Sequence, residues 1–102
     1  MTENTPNNKL FETNGAKALF LHKYYPNAIV KFHGILQKYP DTNTCGEIQL
    51  YLGRSFEAIN ENGRALDAFE TVIEAQNTNN CASSLSAAWK QEAALAIQRL
   101  KK

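Results

Sequence analysis

From Leu52 the chain reads Leu52-Gly53-Arg54-Ser55-Phe56, turns at Asn60-Glu61-Asn62-Gly63, and continues Ala65-Leu66-Asp67-Ala68-Phe69-Glu70-Thr71-Val72-Ile73. On both sides of the turn apolar residues recur at three and four, the helical period. A shift of 37 lays this stretch over an earlier one. Ala65 falls on Ala28, Leu66 on Ile29, Phe69 on Phe32, Val72 on Ile35 and Ile73 on Leu36. Gly53 falls on Ala16 and Phe56 on Leu19, so small residues lie on small and large apolar residues on large. Antiparallel helices approach closely only where a small side chain faces a bulky one, so a repeated small/large pattern repeats the crossing. The stretch therefore predicts two copies of one helical hairpin.

Working outward, a first helix is expected from about Asn8 to Lys23, ended by Tyr24-Tyr25-Pro26 because proline disfavours helix in the residue before it. Pro26 suits the first turn of a second helix running to about Lys38, and Tyr39-Pro40-Asp41-Thr42 ends that one. Thr44-Cys45-Gly46-Glu47 reads as a capping box opening the third helix, with Thr44 as the cap. The fourth runs from about Arg64 to Gln76. The fifth, Ala82 to Lys101, carries Leu85, Trp89, Ala93, Ala96 and Leu100 in a stripe. Residues 1–8 are expected to be a flexible segment before a single helical domain at 9–102. The fold class is all-α, about five helices stacked as antiparallel pairs.

These residues resemble the tetratricopeptide repeat family. Leu52-Gly53 and Phe56 match its first helix, and Ala65 and Phe69 its second. In the earlier copy Ala16, Leu19, Tyr25, Ala28, Phe32 and Pro40 match. Gly15, Gln49 and the missing proline after the second copy depart from the pattern, and the period of 37 exceeds the usual 34. The resemblance implies repeats at about 9–42 and 46–79 in a right-handed superhelix. The helix at about 82–101 would act as a cap, like the first helix of a third repeat. It implies a non-enzymatic module that binds a peptide or helix of another protein in a concave groove. Carried over position by position, the groove would take Thr13, Lys17, Phe20 and Leu21 from the first repeat and Leu50, Arg54, Glu57 and Ala58 from the second. The fifth helix would add Lys90, Ala94 and Ile97. Thr13 and Lys17 do not reproduce the lysine/asparagine clamp of the chaperone-binding members.

Lys17 and Arg54 occupy equivalent positions, so two cations side by side are expected to suit a carboxylate, from an acidic peptide or a protein C-terminus. The alternative function is a structural subunit that homodimerises through an open edge near Leu85, Trp89 and Leu100.

Composition narrows the rest. The 102 residues are 43% hydrophobic and 21% charged, with a formal net charge of +1. That balance argues against disorder and gives no global field for nucleic acid or an anionic membrane. No stretch has the roughly 20 apolar residues of a membrane helix, and the N-terminus lacks a secretory pattern, so a cytoplasmic address is expected. Cys45 and Cys81 are expected to be free thiols, because stacked helices sit roughly 8–10 Å apart, beyond disulfide reach. His22, His33 and Cys45 match no metal-ligand spacing. No acidic pair is flanked by a histidine or orienting group, and the glycines are isolated, so neither a catalytic team nor a cofactor is expected.

Overall fold

The computed structural model describes residues 6–102. Five α-helices follow in order: α1 (Pro6–Leu21), α2 (Tyr25–Lys38), α3 (Glu47–Ala58), α4 (Asn62–Asn79) and α5 (Ser84–Leu100), with a 3₁₀ turn at Pro40–Asn43 between α2 and α3. No strand occurs among the described residues, and the fold is an all-α stack in which each helix packs on its chain neighbours. Of the expected flexible segment, residues 1–5 lie outside the described residues, and Pro6 to Asn8 belong to α1.

The repeat is written in the backbone. Each hairpin turn holds one non-glycine residue at positive φ, Lys23 at 68° and Asn60 at 65°. Lys23 N–H donates to the Phe20 carbonyl and Tyr24 N–H to that of Leu19. Asn60 N–H donates to Glu57 and Glu61 N–H to Phe56, the same two bonds 37 residues later. These bonds satisfy carbonyls that the end of a helix leaves without partners.

The apolar stripes meet as the small/large pattern requires. Ala16, Ala28, Phe32 and Ile35 are buried in the first hairpin, and Leu52, Phe56, Ala65, Phe69 and Val72 in the second. At Gly53 the Phe69 ring packs so close to the α3 backbone that a Cβ would lie 2.8 Å from it. The Phe32 ring stacks on Tyr51 at 5.3 Å between centroids and joins the hairpins. α5 starts where Ser83 caps it, its hydroxyl oxygen accepting from Ser86 N–H at 3.0 Å. It closes the stack with Ala93 and Ala96, while Trp89 and Leu100 pack against the same core.

Two expectations are corrected in the loops. Thr44 does not cap α3; its hydroxyl donates back to the Asp41 carbonyl at 2.9 Å. The cap is made by Asn43, whose Oδ1 accepts from Ile48 and Gln49 N–H at 3.0 and 3.2 Å. Gly46, at φ 87°, turns the chain between them, and a Cβ there would lie 2.9 Å from the Val72 backbone. Nor are the thiols free: Cys45 and Cys81 form a disulfide, with Cα atoms 5.9 Å apart. Helix-axis spacing is the wrong measure, because both cysteines sit in loops. Gly46 folds one loop against α4, and Asn80, at φ 52°, turns the other back. Asn79 Nδ2 donates to the Thr44 carbonyl at 2.8 Å, and buried Gln76 donates to Cys45 O at 3.0 Å and Ser86 O at 2.7 Å.

Candidate functional site

α1, α3 and α5 lie along one side of the stack, and between them opens a groove of about 320 Å³. Phe20 comes from the end of α1, Tyr25 from the start of α2, Arg54, Glu57 and Ala58 from α3, and Glu92, Ala96 and Arg99 from α5, over a floor that includes Phe69. The repeat explains the placement. Phe20 follows Leu19 and Glu57 follows Phe56, so each sits one step round from a core anchor and emerges on the same side of its hairpin.

Four residues expected in the groove meet there: Phe20, Arg54, Glu57 and Ala58. Lys17 lies beside them, its ammonium 5.6 Å above the Tyr51 ring. Thr13 is half-buried, and its hydroxyl donates to the Lys9 carbonyl one turn back at 2.8 Å. Leu50 is 2% exposed and belongs to the core, and Leu21 is exposed outside the groove. Lys90 reaches Asn77 of α4, at 3.5 Å. Ala94 is exposed but does not line the groove, and Ile97 lines a cleft on α4 instead. The register assumed for α5 is two residues out. Two residues on an α-helix are about 200°, so the groove receives Glu92, Ala96 and Arg99 while Lys90, Ala94 and Ile97 turn away. The cue lay in the stripe itself, because groove residues flank its most buried members, Ala93 and Ala96.

The two cations do not stand bare. Lys17 Nζ donates to Glu47 Oε2 at 2.8 Å, and Arg54 Nε lies 3.2 Å from Glu92 Oε2. The Arg54 guanidinium also lies over the Phe20 ring at 4.9 Å from its centroid, a cation–π contact that helps hold it at the groove wall. Arg99 binds Glu57 through two parallel bonds, Nε at 2.8 Å and Nη2 at 2.7 Å. That fork is the strongest form of an ion pair, and it raises the Arg99 pKa above its ordinary value, the hydrogen bond to Glu57 being the main cause. The groove thus has an aromatic floor and two arginine–glutamate pairs on its rim, one clamped and one held by a single longer contact.

No helix among the described residues is long and apolar enough to cross a membrane. Searched against protein-family models, curated proteins and solved structures, the chain finds no match in any of the three.

Proposed function

We propose that the chain is a tetratricopeptide-like, non-enzymatic interaction module whose groove takes a short segment of another protein. The observation that carries this is the convergence of all three groove-side helices on one aromatic-floored pocket. Arg54 is the group we assign to recognition. Its contact to Glu92 is single and exposed, so an incoming carboxylate can take the place of Glu92 and meet the free edge of the guanidinium, while an apolar side chain lies on Phe20. Arg99 is locked by Glu57 and shapes the wall. Glu57 and Glu92 are both engaged by arginine, which supports binding rather than acid–base chemistry.

The Cys45–Cys81 disulfide supports an oxidising compartment rather than the cytoplasmic address suggested by the sequence, since such bonds are rare in reducing cytosol.

Affinity capture with mass spectrometry, followed by calorimetry on peptides of what is captured, tests groove binding. Arg54→Glu is expected to lose the captured protein and to weaken its peptide by roughly tenfold or more, equivalent to about 1.4 kcal/mol. Lys31→Glu, on α2 outside the groove, is expected to retain it. Equal affinity for wild type and Arg54→Glu would overturn the assignment.

A further inference from the structure

We infer that α5 carries a self-association face, and that a second copy of this chain covers it with its own α5 running antiparallel. The edge expected from the sequence, Leu85, Trp89 and Leu100, is not this face, because Trp89 and Leu100 are packed on the core. The face is Ala87, Ala88, Gln91, Ala94, Leu95 and Gln98. All six are exposed, Leu95 by 54%, and none is charged. A helix that ends a stack in water normally turns its charges outward. On α5 the charges stand to either side of this face and leave it uncharged. Glu92 and Arg99 turn into the groove, Lys90 reaches Asn77, and Lys101 lies 3.4 Å from Glu70.

The spacing fits a helix partner. Ala87, Gln91, Ala94 and Gln98 follow each other by four, three and four, the seam of a two-helix pair. Alanines on the seam allow the axes to close toward the short end of the roughly 8–10 Å range, and the glutamine amides each carry donors and an acceptor to exchange across it. Ala88 and Leu95 add apolar surface beside the seam.

Charge complementarity selects a second copy as the occupant. Beside the seam, α4 and α5 bound a cleft of about 650 Å³ with Ile73 and Ile97 at its base and Asp67, Glu70 and Glu74 along α4. Glu70 has Lys101. Glu74 has no ion pair among the described residues. Lys90 flanks the seam on this same α4 side and makes only its long contact to Asn77. α4 and α5 are antiparallel, with Asn77 beside Lys90 and Glu70 beside Lys101, so Glu74 lies level with the middle of α5. A two-fold axis through the middle of the seam keeps both α4 helices on one side and carries Lys90 of the second copy to that level. Each copy then supplies the cation for the other's Glu74, and the interface is self-complementary as two-fold symmetry demands.

Sedimentation equilibrium of the full chain, from low to high concentration, tests this. Wild type is expected to shift from monomer to dimer as concentration rises. Ala94→Arg, at an exposed position, is expected to remain monomeric with an unchanged helical circular dichroism spectrum and melting temperature. Lys90→Glu is expected to weaken the dimer by roughly tenfold, and Lys90→Glu with Glu74→Lys to recover most of it. A wild type that stays monomeric overturns the proposal, as does a dimer indifferent to Ala94→Arg. A charge swap that fails to restore association overturns the antiparallel arrangement. The Arg54→Glu capture experiment reads the groove alone, so the two proposals fail separately.

Discussion

Just past α2, the Tyr39 hydroxyl donates to Glu12 at 3.1 Å; 37 residues later, within α4, the Gln76 amide donates to two backbone carbonyls, Cys45 in the loop before α3 and Ser86 in the first turn of α5. The first tie lies at the surface, where Glu12 also accepts from Lys38 at 2.8 Å. The second is buried and sits beside a disulfide. The surroundings differ in the same sense. The second hairpin is covered by α2 on one side and α5 on the other, whereas the first leaves Phe11 78% and Val30 71% exposed. Two hairpins of one pattern thus gain their firmness from different sources. The pattern specifies the crossing, and the place in the stack decides how much apolar surface and how many ties each hairpin receives.

The disulfide is the largest expected difference. It closes a loop across 36 positions that contains all of α3 and all of α4. Chain-entropy arithmetic for a loop of that size gives about 4 kcal/mol, within the roughly 2–5 kcal/mol lost when native bridges are removed. Cys45→Ser with Cys81→Ser should lower the stability measured by urea unfolding by that amount. Hydrogen exchange should quicken most at the amides of the two loops. If stability changes by less than about 1 kcal/mol, the Gln76 and Asn79 bonds alone hold the loops, and the second hairpin owes its firmness to packing.

Alanine at two glycines should have opposite signs. At Gly53 the new methyl meets the fully buried Phe69 ring, and overpacking of that kind costs about 1–3 kcal/mol. At Gly15, in the interior of α1, nothing lies within 4 Å. There Gly15→Ala should stabilise by about 0.5–1 kcal/mol through helix propensity alone. Melting temperatures of the two variants decide it. A neutral Gly53→Ala would mean that the close approach relaxes, and that the small residue is not what sets the second crossing.

These glycines also mark what could be read ahead of the structure. The hairpins followed from local periodicity and the 37-residue shift, and the groove positions of α1 and α3 from the resemblance to the tetratricopeptide pattern, of which Thr13, Leu21 and Leu50 fall outside the groove. Phe20, Arg54, Glu57 and Ala58 met because the repeat sets their register. α5 has no second copy to align with, so its register was open by two residues and its groove members were misplaced. Glu47 and Glu92, the partners of Lys17 and Arg54, were invisible because pairing over 30 or more positions depends on how hairpins stack. The disulfide was missed for a related reason. Its loops meet through the Asn43 cap and the left-handed Gly46, and neither follows from a helical pattern. The one available hint was that Cys45 and Cys81 lie 36 apart, close to the repeat period.

The smallest expected effect tests the tie that the first hairpin has in place of a bridge. The hydrogen bond from Lys38 holds the Glu12 carboxyl below its ordinary value of 4.5, with Tyr39 adding to the same shift. A carboxyl with a depressed folded-state pKa contributes stability above its unfolded value and loses it as pH falls through the folded one. Lys38 is shifted upward, chiefly by its bond to Glu12, so its share is present below the ordinary lysine value and lost as pH rises past the folded one. Tyr39 is raised as well, by burial and then by Glu12, and titrates in the same alkaline direction. The tie is therefore fully formed between mildly acidic and mildly alkaline pH. All three groups are reached by solvent, so salt screens the pair and its contribution stays small. Glu12→Gln keeps the shape and removes the titration. Melting temperature in low salt should fall less steeply for Glu12→Gln than for wild type as pH drops below the carboxylate range, and added salt should narrow the gap. Parallel curves would show that the surface tie adds nothing, leaving the first hairpin to rest on its buried Ala16 and Phe32 and on the stacking of Phe32 against Tyr51.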